Sequence, residues 1–159
     1  MKEIKAACGV WGNCKIPQEK IEYFKQQIKD KLLKRIGQHC NDFFVIFTNQ
    51  ADMLFMDVAL ELRKEYPITI RVLLPFFKWM DTLSDNERQQ REKYLSLMKE
   101  PYYFCADKAY YDIMSICSYS LVDYCDNLLI ICDGHPNDAT VGMITLAGFL
   151  GYESEYIRL

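Results

Sequence analysis

Strand-sized apolar runs alternate with helix-sized amphipathic segments along this chain, and that alternation restricts the fold more than any other feature. Phe43, Phe44, Val45, Ile46 and Phe47 are apolar without a break, the pattern of a strand covered on both sides. The runs 68–74 and 127–132 read the same way. Ahead of them, Ile21, Phe24, Ile28, Leu32 and Ile36 recur at three and four, with Pro17 suited to the first helical turn and Gly37 to the stop. A second helix is expected from about Asp52, with Phe55, Val58, Ala59, Leu62 and Tyr66 on one face and Pro67 ending it.

The remaining segments extend the pattern. Residues 4–8 read as a first strand that empties into a turn from Gly9 to Gly12, and Pro75 is expected to end the third strand. Ser84 and Glu87 form a capping-box pattern, which predicts a helix to about Met98 after the loop 75–86. Residues 102–105 suit a short strand, and Asp107 suits the cap of a helix turning Tyr111, Met114, Cys117, Leu121 and Val122 inward. A last helix at 140–150, stopped before Gly151, and a final strand at 155–159 complete the series. Strands alternating with helices imply right-handed βαβ units. The expected fold is a Rossmann-like α/β three-layer sandwich, a mostly parallel sheet with helices on both faces, in one domain over 1–159.

Composition narrows the function classes. A length of 159 residues with 50% hydrophobic and 26% charged content fits one compact domain. The net charge of -3 supplies no broad basic field, so no nucleic-acid partner is expected. Seven cysteines without a Cys-x-x-Cys pair, behind an N-terminus with no apolar run, predict a cytoplasmic protein with free thiols. Cys8, Cys14, His39, Cys40, Cys105, Cys117, Cys125 and Cys132 show no zinc-ligand spacing, so no metal and no cofactor is expected. No apolar run approaches the roughly 20 residues that span a bilayer, which excludes a membrane-spanning role.

On folds of this kind, ligands sit beyond the carboxyl ends of the strands, at helix N-termini. Three segments qualify: 9–15, 48–52 and 133–140. The candidate ligand contacts are Gly9, Trp11 and Gly12 in the first, Asn49 and Asp52 in the second, and Asp133, Gly134, His135 and Thr140 in the third. Each has a plainer reading. Asp133 with Gly134 is a common turn at a strand end, Asp52 suits a helix cap, and Trp11 suits packing. Histidine is a residue type suited to acid–base work, but spacing identifies no partner for His135, so its plain reading is a surface histidine.

The order and spacing of several of these residues resemble the SLOG superfamily, whose Rossmann-like members include relatives of the DNA-processing protein DprA and the LOG phosphoribohydrolases. The resemblance rests on Gly9, on Ala51, Asp52 and Phe55, on Leu62 through Pro67, and on Leu74 with Pro75. Val122 with Asp123, Asp126, and Asp133-Gly134 with Pro136 continue it, so it covers nearly the whole chain. It implies a nucleotide or nucleotide-derived ligand at the strand ends.

The chain also departs from that pattern. A bacterial branch of the superfamily carries a Gly-His-Arg turn where this chain has Gly9, Val10 and Trp11. Its glycine-rich loop is replaced by Phe47, Thr48, Asn49 and Gln50, and its Arg-Asn pair falls at Cys117 and Ser118. The Gly-Gly-Thr turn becomes Asn137, Asp138, Ala139 and Thr140, and the catalytic glutamate of LOG enzymes falls near Ile144 or Thr145. Such glycines let backbone N–H groups converge on a phosphate, and arginine grips it bidentately; losing both weakens phosphate binding.

These departures predict a noncatalytic binder of a nucleotide-derived molecule, with no catalytic residue assigned. Two other classes stay open: a LOG-type nucleoside-monophosphate hydrolase, and an interaction module with a degenerate pocket. Tyr102, Tyr103, Phe104, Tyr110, Tyr111, Tyr119 and Tyr124 exceed what one face of a small core needs, which suits a homodimer or protein partner through 102–124. Phe76, Phe77, Lys78 and Trp79 add to that surface or lid the pocket.

Overall fold

The computed structural model describes residues 7–47, 49–99, 101–105 and 113–158. Among these residues six strands form one sheet: β1 (Ala7–Asn13), β2 (Asp42–Ile46), β3 (Thr69–Phe76), β4 (Tyr102–Cys105), β5 (Asn127–Cys132) and β6 (Glu153–Arg158). Their order is β4-β3-β2-β1-β5-β6, and every neighbouring pair is parallel. The helices between them are α1 (Ile21–Gly37), α2 (Gln50–Leu62), α3 (Asp85–Leu95), α4 (Ile113–Tyr124) and α5 (Asp138–Phe149). The chain therefore folds as the Rossmann-like α/β sandwich that the alternation predicts.

Two apolar layers hold the sheet. On one face, Phe24, Ile28 and Leu32 of α1 and Phe55, Val58 and Leu62 of α2 pack with Val10, Val45 and Val72 of the strands. Tyr94 of α3 joins that layer. On the other face, Leu121 and Val122 of α4 and Met143 and Ala147 of α5 close over Trp11, Ile46, Leu73 and Ile130.

Three expectations are corrected here. The first strand does not turn at Gly9: β1 runs on to Asn13, pairing Gly9 with Phe44 and Leu128 and Trp11 with Ile130. Gly9 is needed there because a Cβ would lie 2.8 Å from Cys125 Sγ and 2.9 Å from Leu128 Cδ2, so the glycine admits α4 against the sheet rather than a ligand. Pro75 lies inside β3, which continues to Phe76. Finally, α2 begins at Gln50 and α5 at Asp138, each two residues earlier than its apolar pattern suggests, because an asparagine caps each one. The expected cap Asp107 and the inward Tyr111 lie outside the described residues, as do Thr48 and Tyr110.

A buried charge ties the first helix to the last strand. Arg35, on the final turn of α1, is 2% exposed; its Nε donates to Cys8 Sγ at 3.1 Å and its Nη2 to the Leu128 carbonyl at 2.8 Å. Its Nη1 meets Glu155 Oε1 at 2.9 Å, and Lys31 and Lys34 converge on the same carboxylate. Burial pushes the Cys8 thiol up to about 12, so it stays neutral beside the guanidinium. Partial burial works to raise the Glu155 carboxyl as well, but the hydrogen bonds from Lys31, Lys34 and Arg35 outweigh it and hold the group at about 2.

Candidate functional site

The strand order reverses between β1 and β5, and in open α/β sheets the crevice beyond the carboxyl ends at that point receives ligands. A cleft of about 550 Å³ lies there, within the range of small-molecule pockets. Its floor is the end of β1 and the residues after it: Trp11, Gly12, Cys14 and Lys15. One wall is the first turn of α2 with Asn49, Gln50 and Met53; the opposite wall is one face of α3, presenting Glu87, Gln90 and Arg91 at i, i+3 and i+4. Asn137 closes the end nearest α5.

The β1–α2 junction is a closed hydrogen-bonded lock. Asn49 caps α2, its Oδ1 accepting the Ala51 N–H at 2.9 Å, while Asp52 Oδ2 accepts the Asn49 N–H at 3.0 Å. The same two side chains hold the strand end: Asp52 Oδ1 accepts the Gly12 N–H at 3.2 Å, and Asn49 Nδ2 donates to the Gly12 carbonyl. Gly12 is what lets the helix come this close, since a Cβ would stand 2.7 Å from Ala51 Cβ and 2.8 Å from Asn49 Oδ1. Gln50 Oε1 takes the Ile16 N–H at 3.0 Å, fixing the loop after β1.

The β5–α5 junction is closed in the same manner. Asp133 Oδ1 accepts the His135 N–H at 2.9 Å, an Asx turn in which Gly134 takes φ 88°. Asn137 Oδ1 accepts both the Thr140 N–H at 2.9 Å and its hydroxyl at 2.8 Å. The Thr140 oxygen in turn accepts the indole N–H of Trp11 at 2.7 Å.

The charges in the cleft oppose one another. Glu87 completes the capping box of α3, and the Ser84 hydroxyl and N–H on its carboxylate hold its pKa below the ordinary carboxylate value. Arg91 is 3% exposed and donates from Nε to the Phe47 carbonyl and from Nη1 to the Glu87 carbonyl, with its guanidinium over the Phe47 and Trp79 rings. Burial lowers its pKa while the Glu87 and Asp52 carboxylates pull the other way, so it remains a cation balanced by two anions.

The nine candidate contacts therefore separate. Trp11, Gly12 and Asn49 line the cleft, and Asp52, 1% exposed, underpins it. Gly134 and Thr140 instead line a second hollow of about 250 Å³ with Ile144, Tyr156 and Arg158 between β5, α5 and β6. The Trp11–Thr140 hydrogen bond is the partition between the two spaces. Gly9 sits under α4, while Asp133 and His135 form a turn, His135 exposed. Trp79 packs against the core below Arg91 rather than lining the cleft. Missing from the sequence reading were Glu87, Gln90 and Arg91 of α3; their spacing on one helix face behind a capping box was the available signal. Among the described residues no group of three or more His, Cys, Asp or Glu side chains is placed to hold a metal ion, and no helix is long and apolar enough to cross a membrane.

A doubly wound, all-parallel domain with a ligand-sized cleft at its switch point is the class that fold and site define. Within it, the family model described as the YspA SLOG family matches residues 12–148, and the chain belongs to that family. Comparison with curated proteins gave no match.

Proposed function

We propose that the chain is a noncatalytic binding protein for a nucleotide-derived small molecule held in the cleft over the end of β1. The observation that carries this reading is the coincidence of a 550 Å³ cleft with the point where strand order reverses. SLOG family membership supports it at the level of the fold. The noncatalytic part rests on α5, where the resemblance puts the LOG glutamate near Ile144 or Thr145, neither of which carries a carboxylate, and the Thr145 hydroxyl bonds back to the Val141 carbonyl. Mass spectrometry of small molecules released on denaturing the purified chain, with a thermal-shift panel of nucleosides, nucleotides and nucleotide sugars, tests it. A stabilising member is expected, whereas a blank in both assays overturns the reading. Release of free base from nucleoside monophosphates would instead establish the LOG-type reaction.

A second reading is favoured by exposed aromatics. Tyr102, Tyr103, Tyr119 and Tyr124 are each more than a third exposed, and Phe77 stacks edge-on to Tyr103 at 5.5 Å. A second copy or another protein bound through the 102–124 region would cover them. Sedimentation of the chain alone, and a pull-down lost on Tyr119→Ala with Tyr124→Ala but kept on Gln90→Ala, would support it.

A further inference from the structure

The geometry points to a cleft that reads the uncharged part of its ligand through side-chain amides and, among the described residues, builds no phosphate subsite. This rests on the small-molecule reading above and narrows its chemical class to nucleosides and similar neutral hydrogen-bonding ring compounds. Phosphate capture on such folds needs backbone N–H groups left open at the strand-to-helix turns. Among the described residues, six of these groups are taken by the protein itself. The Gly12 and Asn49 N–H groups go to Asp52, and that of Ala51 goes to Asn49. Those of Ile16, His135 and Thr140 go to Gln50, Asp133 and Asn137.

Charge argues the same way. A phosphate laid on the Gly12 turn would meet the Asp52 carboxylate, which is buried and fixed by two hydrogen bonds, with Glu87 across the cleft. Like charges at that range disfavour one another by more than they would in water. The cations there offer little surplus: Arg91 donates to two carbonyls and faces both carboxylates, and Lys15 is the other cation lining the cleft among the described residues. Asn49, Gln50 and Asn137 spend their amide oxygens on the protein, so what the cleft presents is the whole Gln90 amide with the NH2 groups of Gln50 and Asn137, beside Met53 and the largely buried Trp11. Amides both donate and accept, which matches the edges of bases and sugar hydroxyls.

Titration calorimetry of the full chain with matched pairs tests this: adenosine, guanosine, cytidine and uridine, each against its 5′-monophosphate, with inorganic phosphate as a further probe. The expected result is binding of at least one nucleoside as tightly as its monophosphate or tighter, less than a twofold change between 50 and 300 mM salt, and no heat with inorganic phosphate. Gln90→Ala, at an exposed position, should weaken that nucleoside at least fivefold while leaving the melting temperature unchanged. A monophosphate bound tenfold more tightly than its nucleoside overturns this inference and leaves the small-molecule reading intact. Failure of every nucleoside and nucleotide overturns both.

Discussion

The Trp11 indole N–H donates to the Thr140 hydroxyl across 2.7 Å between residues 129 positions apart, and neither side chain reaches solvent to any useful extent. Thr140→Val removes the acceptor while keeping the shape, leaving a buried indole donor unmatched, a loss of about 1 to 3 kcal/mol. Trp11→Phe also leaves a cavity, but it should cost less on that background than in the native chain, because the indole N–H it removes no longer has a partner there. Urea unfolding of the two single variants and the double variant measures the coupling, and strict additivity would mean that the contact contributes nothing of its own.

Gly12→Ala should be among the most damaging small substitutions in the chain. The added methyl meets Ala51 Cβ at 2.7 Å and Asn49 Oδ1 at 2.8 Å, and neither neighbour has a flexible end that can swing away. Separating α2 from β1 by even a fraction of an ångström also stretches the Asp52 and Asn49 bonds to Gly12. A cost of about 2 to 3 kcal/mol is expected in chemical denaturation.

Acid should destabilise the fold through Glu155. Its folded pKa of about 2 lies below the ordinary 4.5, so its contribution is complete above 4.5 and is lost as the pH falls through 2. Glu155→Gln should flatten the pH dependence of stability over that window and cost about 2 to 4 kcal/mol at neutral pH, since Arg35 is left without its carboxylate. An unchanged slope between pH 5 and pH 2 in the variant would show that other carboxylates dominate.

Asp133 and Gly134 should act on stability alone. Gly134 adopts φ 88° with open space around it, so Gly134→Ala is opposed by backbone strain of about 1 kcal/mol rather than by a clash. Asp133→Ala removes the bond to the His135 N–H and should cost a similar amount. Any nucleoside affinity measured by calorimetry should be retained in both variants.

The sheet was legible because its strands are covered on both faces, so Leu128 to Ile131 and Phe43 to Phe47 are apolar without alternation and stand out from the helices between them. The end of β1 was not. Gly9 and Gly12 look like turn residues along the chain, whereas their purpose is close approach: one admits α4, the other α2, and neither neighbour is near in sequence. The same holds for the site. Asp52 reads as a helix cap, but its second bond, to Gly12, is visible only in three dimensions. The cleft's far wall on α3 was missed because Glu87, Gln90 and Arg91 form an ordinary polar helix face until the fold sets them opposite α2.

Arg35 carries a consequence for how the chain is made. Its carbonyl partner is Leu128 and its counter-ion is Glu155, while α1 emerges during synthesis more than a hundred residues before that carboxylate. An N-terminal portion that packed early would have to enclose a guanidinium without its carboxylate, so α1 is expected to settle fully on the sheet only once the edge strand has been delivered. Nascent or prematurely ended chains are therefore expected to stay loose and open to proteolysis, with completion of β6 the step that seals the domain.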